Sequence, residues 1–127
     1  MPLDPGLRAS FRYVVTAADT ALAHGSGDVE VLATPRVLAL AERATCAAVV
    51  DHLTDDLTTV GTHVGLDHLV PTPVGATVTV DAVLEAVEGR RLTFGIRVSD
   101  DERPVATGSV VRTLVTRERF LRTAAGS

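Results

Sequence analysis

The chain has few aromatic residues and one cysteine, and each shortage limits what it can be. Aromatic residues make up 3% of the 127 residues, against 46% apolar residues. The core must therefore be aliphatic, and the length favours a single domain, 1–127, with an ordered part of about 9–121 and a short flexible tail. Cys46 cannot form an internal disulfide, so we expect a cytoplasmic protein.

Further absences narrow the function. No apolar run is long enough to span a bilayer, and Met1 to Ser10 lacks the basic start and apolar stretch of a secretory signal. The net charge of -4 argues against a nucleic-acid partner. Phosphate-binding glycine loops, Cys/His metal spacings and internal repeats are also missing, so the sequence predicts no metal and no resident cofactor.

One long helix dominates the predicted secondary structure. Thr34-Pro35 predicts its start, because a threonine can cap free amides and proline suits the first helical position. Apolar residues recur at helical spacing from Val37 to Leu53, and much of the other side is Ala, Thr or Cys. We therefore expect protein to cover most of the helix, with Cys46 buried as a small apolar residue.

Strands are predicted around this helix. The first spans Ser10 to Thr16, and the Ala-rich stretch Ala17 to Gly27 after it is ambiguous. Four more strands are predicted at 58–69, 76–87, 90–99 and 105–116, with a hairpin turn at Glu88-Gly89, a turn at 100–103 and a short helix at 117–122.

One apolar helix beside antiparallel strands needs a sheet to cover it. The sequence therefore predicts an α+β hot-dog fold, in which a curved antiparallel sheet of about five strands wraps one central helix. Such a sheet leaves an edge open, which favours pairing with a second copy.

The spacing of four residues gives the chain a resemblance to a known family. Thr34 precedes Glu42 by eight positions, and Gly61 precedes His68 by seven. Other matching features are the segments 72–80 and 87–92, together with Gly108 and Arg112. Over about 13–121 the chain resembles the hot-dog-fold acyl-CoA thioesterases similar to fluoroacetyl-CoA thioesterase.

The resemblance implies an acyl-CoA thioesterase that needs no cofactor beyond the coenzyme A of its substrate. Thr34, Glu42 and His68 fall on the catalytic threonine, glutamate and histidine of the family. Gly61 falls on a glycine beside the thioester, and Arg112 on an arginine near the active site, so both are candidates for binding the substrate.

One departure from the family concerns the segment 21–30. It is shorter than the phenylalanine-bearing insertion that covers the acyl pocket of the fluoroacetyl-specific enzyme, and it has no aromatic residue. We therefore expect a short or medium acyl group and no fluoroacetyl preference. Arg90 and Arg91 are candidates for binding the CoA phosphates, and protection of a strand edge by their charge is an equal alternative.

The residue types suit thioester hydrolysis, which needs a polarised carbonyl, an attacking group and a proton path. The helix start near Thr34 offers free amides to the thioester oxygen. Glu42 can attack the thioester or activate water. His68 can hold that carboxylate or a water in position, or move the proton. Eight helical residues rise about 12 Å, so Thr34 and Glu42 of one chain cannot hydrogen-bond. Either the substrate lies along the helix, or the site combines residues from two chains. We favour the second alternative, which predicts a homodimer with sites at its interface.

Strand parity bears on the histidines. In a regular strand His68 shares a face with Thr62, and His63 shares the opposite face with Gly61. This disfavours a metal site made by the two histidines, unless a bulge intervenes.

Each candidate has a plainer interpretation when taken alone. Thr34 can be a helix cap, Glu42 a solvated helix residue, His68 a strand-end histidine and Gly61 a bulge or close-packed glycine. The shared spacing favours the catalytic interpretation. Two other functions stay open, a hot-dog dehydratase or hydratase and a non-catalytic acyl-CoA binding module, and the carrier can be CoA or an acyl-carrier protein.

Overall fold

The computed structural model describes residues 3–101 and 103–126. The predicted domain limits at 1 and 127, and residue 102 in a predicted turn, lie outside that range. The elements are β1 (Arg8–Val14), a 3-10 turn (Ala17–Asp19), α1 (Ala21–His24), α2 (Thr34–Val49), a second 3-10 turn (Val50–His52), β2 (Leu57–His68), β3 (Thr77–Glu88), β4 (Arg91–Asp100), β5 (Arg103–Thr116) and α3 (Arg117–Ala124).

The five strands form one antiparallel sheet in the order β1-β3-β4-β5-β2. Strands β3 and β4 meet in the predicted hairpin, where Glu88 pairs with Arg91 and Gly89 has φ +62°, a conformation that glycine adopts without steric cost. Strands β1 and β2 are the edges. One central helix against five antiparallel strands confirms the predicted α+β hot-dog architecture.

The core between α2 and the sheet is aliphatic, as the composition predicts. Alternate residues of β3 and β4 point at the helix, and Phe94 is the largest fully buried side chain. The helix contributes Val37, Leu40 and Ala44 to the same cluster. Burying each large aliphatic side chain stabilises the fold by about 1.5–3 kcal/mol, so this contact fixes α2 on the sheet.

The start of α2 differs from the prediction. Ala33 is the N-cap, Thr34 is the first helical residue, and no side chain caps the helix. The prediction that Thr34 caps the helix is therefore wrong. Its hydroxyl is engaged with His68 on β2 instead, which is described below.

The exposure of α2 also differs from the prediction. Ala39, Cys46 and Ala47 are exposed and lie on the side of the helix away from the sheet. For a single chain, the expectations that protein covers most of the helix and that Cys46 is buried are therefore wrong. The sheet of one chain covers one side of α2 and leaves the other open.

A β-bulge in β2 changes the predicted strand parity. Gly61 pairs with Arg112 and His63 with Val111, so Thr62 is the extra residue. Paired residues share a face of the sheet, and His68 pairs with Ala106 on the same face as Arg112. Gly61 and His68 therefore both face α2, and the prediction that put them on opposite faces is wrong.

The bulge lies outside the interval between His63 and His68. Their partners Val111 and Ala106 lie on opposite faces of β5, so the two histidines also point to opposite faces, as predicted.

Asp19 fixes the path of the chain between β1 and α2, in the stretch that the sequence left ambiguous. This buried carboxylate accepts hydrogen bonds from the Tyr13 hydroxyl (2.8 Å), the Thr16 amide (2.7 Å) and Arg36 Nε (2.9 Å). Burial alone would raise the pKa of Asp19, but these hydrogen bonds outweigh it and leave the pKa below its usual value. The ionised carboxylate thus ties the start of α2 to β1.

Candidate active site

Thr34 and His68 form the first half of the candidate site. Thr34 begins α2, His68 ends β2, and Thr34 Oγ1 lies 2.8 Å from His68 Nδ1. Burial lowers the pKa of His68, with partial opposition from the backbone of Val70. The imidazole is therefore neutral near pH 7, and Nδ1 can accept the proton of the hydroxyl.

The other ring nitrogen of His68 has a different environment. Nε2 is buried and has no hydrogen-bond partner among the described residues. A buried polar atom without a partner is costly, and such atoms often mark a place where a ligand or a second chain completes the structure. When Nδ1 accepts from Thr34, Nε2 carries the proton and can donate it.

An aliphatic pocket adjoins this pair. It has a volume of about 290 Å³, and both Thr34 and His68 lie in its wall. Its apolar lining includes Ala21, Gly27, Val29, Val31, Leu69 and Val70. The volume is near the lower end of the range for small-ligand sites, which suits a small apolar group.

Glu42 and Arg112 form the second half of the site. Arg112 Nη1 on β5 lies 3.0 Å from Glu42 Oε2 on α2, and the two side chains are 7% and 34% exposed. Thr59 on β2 accepts from Arg112 twice, through Oγ1 from Nε (2.8 Å) and through its carbonyl oxygen from Nη2 (2.9 Å). A partly exposed carboxylate is thus backed by a buried, fully oriented cation.

Gly61 lies against this ion pair. A Cβ at position 61 would lie 3.2 Å from Glu42 Cδ, 3.4 Å from Arg112 Nη1 and closer still to Glu42 Oε2, well inside the 3.0 Å that real Cβ atoms essentially never show. No side chain fits there while Glu42 keeps its position. The structure therefore brings Glu42, Gly61 and Arg112 together.

The two halves do not meet within one chain. Thr34 and Glu42 are two helical turns apart, a rise of about 12 Å. Gly61 and His68 are separated by up to roughly 20 Å of strand. In the part of the chain that the structure describes, no hydrogen bond joins Glu42 to Thr34 or His68.

Arg90 and Arg91 lie at the Glu42 end of the sheet. Both are exposed in the hairpin between β3 and β4, and the neighbouring Leu92 pairs with Arg112. Neither guanidinium forms an ion pair with a described carboxylate. Arg91 pairs with Thr113 and so lies on the face of the sheet opposite Arg112, whereas Arg90 lies in the turn.

Sequence reasoning missed Thr59 and the pocket lining outside segment 21–30. The available signal for Thr59 was strand periodicity, because it lies two positions before Gly61 and so on the same face of β2. Over residues 3–101 and 103–126 no group of His, Cys, Asp and Glu is placed to hold a metal ion. Within the same residues no helix has the length and hydropathy needed to span a bilayer.

Comparison with known proteins by sequence identifies one family of thioesterases. The sequence model of the FlK family, described as fluoroacetyl-CoA-specific thioesterase, matches residues 15–118. A fluoroacetyl-CoA thioesterase of Streptantibioticus cattleyicolor is 35% identical over 91 residues, which cover 72% of this chain and 66% of that protein.

Solved structures of the fluoroacetyl-CoA thioesterase FlK have the same fold. One superposes with a TM-score of 0.92 at 28% identity, covering 100% of this chain and 98% of that one. A variant of FlK in complex with fluoroacetate and CoA superposes with a TM-score of 0.86 at 30% identity, covering 93% and 99% of the two chains. The resemblance predicted from the sequence is confirmed, and the chain belongs to the FlK family of hot-dog-fold thioesterases.

Proposed function

We propose that this protein hydrolyses the thioester of a short or medium aliphatic acyl-CoA. The observation that carries the proposal is the Thr34–His68 hydrogen bond of 2.8 Å in the wall of an aliphatic pocket. A hydroxyl paired with a neutral histidine is a general means of handling a proton at a carbonyl, and the pocket offers a place for the acyl group.

The remaining roles follow from charge and position. The free amides at the start of α2 stabilise the negative charge that develops on the thioester oxygen. Glu42 attacks the carbonyl carbon or activates the attacking water, and Thr34 as nucleophile is the alternative. The carbon–sulfur bond then breaks, the sulfur leaves as CoA thiolate and takes a proton, and water supplies the second oxygen of the carboxylic acid product.

The lining of the pocket supports an acyl group other than fluoroacetyl. Segment 21–30 contributes Ala21, Gly27 and Val29 to the pocket and has no aromatic residue to cover it. CoA as the carrier rests on the CoA complex of the FlK variant. Arg90 and Arg91 are proposed to bind the CoA phosphates, because arginine suits phosphate and both side chains are exposed.

We further propose a homodimer in which each site takes residues from both chains. The support is threefold: the two halves of the site are far apart in one chain, β2 is an open edge, and one side of α2 is uncovered. A second copy along β2 can bring its Glu42 to the Thr34–His68 pair. The cytoplasmic location inferred from the single cysteine stays a prediction.

The test is free-thiol release from acetyl-, fluoroacetyl-, butanoyl-, hexanoyl- and octanoyl-CoA. Glu42→Gln and His68→Ala are compared with wild type. His63→Ala is the matched control for His68, because it removes an exposed histidine from the opposite face of the same strand. Glu85→Gln is the control for Glu42, because Glu85 is an exposed carboxylate on the far side of the sheet, against Gly95.

We expect turnover to fall at least about a hundredfold in both site variants and to stay near wild type in both controls. We also expect butanoyl- or hexanoyl-CoA to exceed fluoroacetyl-CoA in kcat/KM. If fluoroacetyl-CoA were the best substrate, the proposed acyl preference would be overturned, but the proposed thioesterase activity would stand. Binding of every ester without turnover would favour the acyl-CoA binding module instead.

A further inference from the structure

We propose that Thr59 is a positioning residue that sets the orientation of Glu42 through Arg112. This inference rests on the proposed function, because it takes Glu42 to be the catalytic carboxylate. Thr59 touches no candidate reacting atom, so its effect passes through the guanidinium.

The hydrogen bonds of Arg112 show how the orientation is set. Nε and Nη2 both donate to Thr59, one to its hydroxyl and one to its carbonyl oxygen, and Nη1 donates to Glu42. Arg112 as a residue is 6% exposed. The guanidinium is planar and rigid, so two bonds to one residue fix where the third nitrogen points.

Glu42 depends on that third nitrogen. Its carboxylate is partly exposed, and Arg112 is its hydrogen-bond partner among the described residues. Gly61, which lies against the same carboxylate oxygen, has no side chain that could hold it. The orientation of the carboxylate therefore follows the orientation of Arg112, which follows Thr59.

The regular pairing of β2 with β5 before the bulge makes this arrangement possible. Thr59 and Gly61 face α2, and Gly61 is the register partner of Arg112. The long arginine side chain crosses this face and meets the hydroxyl of Thr59 beside the small space left by Gly61. Catalytic groups must be held within about 0.5 Å of their productive geometry, so a fixed cation here is a functional requirement.

The test compares Thr59→Val with Thr59→Ser. Valine keeps the volume and the strand preference but leaves Nε of a buried cation without its acceptor, whereas serine keeps the acceptor. We expect Thr59→Val to lower kcat roughly tenfold or more with KM changed less than about twofold, and Thr59→Ser to restore kcat to near wild type. Thermal unfolding of each variant reports whether the fold is kept.

A second readout does not depend on activity. The Nε–H group of Arg112, buried and bonded to Thr59, should give a slowly exchanging 15N–1H signal in wild type and in Thr59→Ser, and a fast-exchanging one in Thr59→Val. Arg112→Lys identifies the signal.

The outcomes separate this inference from the proposed function. Unchanged kcat in Thr59→Val, or a raised KM with kcat unchanged, would overturn the positioning role, and the raised KM would make Arg112 a substrate-binding residue. A wild type that turns over no ester would overturn the thioesterase proposal. In that case persistence of the slow Nε–H signal in Thr59→Val would also overturn the role of Thr59 in orienting Arg112, and its loss would support that role.

Discussion

Gly61 acts at the scale of single atoms, through the side chain that it lacks. Its Cα hydrogen faces the Glu42 carboxylate, and a Cβ would occupy the space of Oε2. We expect Gly61→Ala to push Glu42 off Arg112 and to lower kcat about tenfold or more, because a displacement of about 1 Å in a catalytic group can cost a hundredfold. Steady-state kinetics with the preferred acyl-CoA measures this.

Gly65 provides the matched control for Gly61. It lies on the same strand, and a Cβ there would have no atom within 4 Å. Gly65→Ala should keep kcat and hold or slightly raise the free energy of unfolding, because alanine restricts the unfolded chain more than glycine. Equal kcat losses in the two variants would show that any change in β2 impairs activity, and the specific contact with Glu42 would lose its support.

His68 gives the site a dependence on pH. Burial lowers its pKa from the 6.5 of a free histidine, so the folded protein binds this proton less readily than the unfolded chain does. Below pH 6.5 the unfolded state therefore binds more protons than the folded state. As the pH is lowered through this window, the free energy of unfolding decreases. Above pH 6.5 the contribution is constant.

The measurement is the free energy of unfolding in urea between pH 5 and pH 8 for wild type, His68→Gln and His63→Gln. As the pH falls below 6.5, we expect the free energy of unfolding of wild type to decrease relative to that of His68→Gln. His63→Gln is measured alongside as a second histidine variant, on the opposite face of the same strand. A His68→Gln curve parallel to wild type throughout would contradict the lowered pKa.

At the scale of elements, Asp19 connects β1, the following 3-10 turn and α2. Asp19→Asn removes the negative charge to which Arg36 Nε, the Thr16 amide and the Tyr13 hydroxyl donate hydrogen bonds. We expect a loss of roughly 2–3 kcal/mol of unfolding free energy at pH 7, in line with several hydrogen bonds to one buried charge. The same contribution disappears in wild type as the pH falls from 3.8 through the lowered pKa of Asp19.

An exposed ion pair serves as the control for Asp19. Glu118 and Arg122 lie four residues apart on α3, and Glu118 is 83% exposed. Glu118→Gln should change the unfolding free energy by less than about 0.5 kcal/mol. If Asp19→Asn costs no more than this control in urea unfolding at pH 7, the network does not anchor the start of α2.

The elements themselves were predictable because periodicity is a local property. Alternation of apolar and polar residues predicted β3 and β4, and helical spacing of apolar residues predicted α2. The Glu88-Gly89 turn predicted the hairpin. Errors arose where the deciding partner lies far along the chain. Thr34 looked like a cap because its true partner, His68, is 34 positions away.

The candidate site shows the same limit. The joint spacing of Thr34, Glu42, Gly61 and His68 located the region, but a regular strand put Gly61 and His68 on opposite faces. The bulge at Thr62 exists in the pairing of β2 with β5, which the sequence of β2 alone does not reveal. Thr59 was missed for a similar reason, because its partner Arg112 is 53 positions away.

At the scale of the whole molecule, one chain presents two half-sites and two uncovered surfaces. The Thr34–His68 pair and the Glu42–Arg112 pair lie at opposite ends of the shared region of α2 and β2. The open edge of β2 and the uncovered side of α2 border both pairs. The proposed symmetric dimer about this edge would give each copy the same interface and would complete both candidate sites at once.

Complementation between inactive variants tests this arrangement. Glu42→Gln and His68→Ala are each expected to be inactive alone. After joint denaturation and refolding at equal amounts, half of the dimers combine the two variants. If each site takes Glu42 from one chain and His68 from the other, every mixed dimer has one intact site and one doubly altered site. We then expect about a quarter of wild-type turnover per chain, measured as thiol release.

A site contained in one chain predicts a different result, because every chain in the mixture then has a defect and no turnover returns. The control replaces His68→Ala with the double variant Glu42→Gln, His68→Ala, whose mixed dimers with Glu42→Gln have no intact glutamate in either arrangement. Recovery in the first mixture and none in the control would require shared sites. Failure of the first mixture to recover, with mixed dimers demonstrated by native mass spectrometry, would place both halves of the site in one chain.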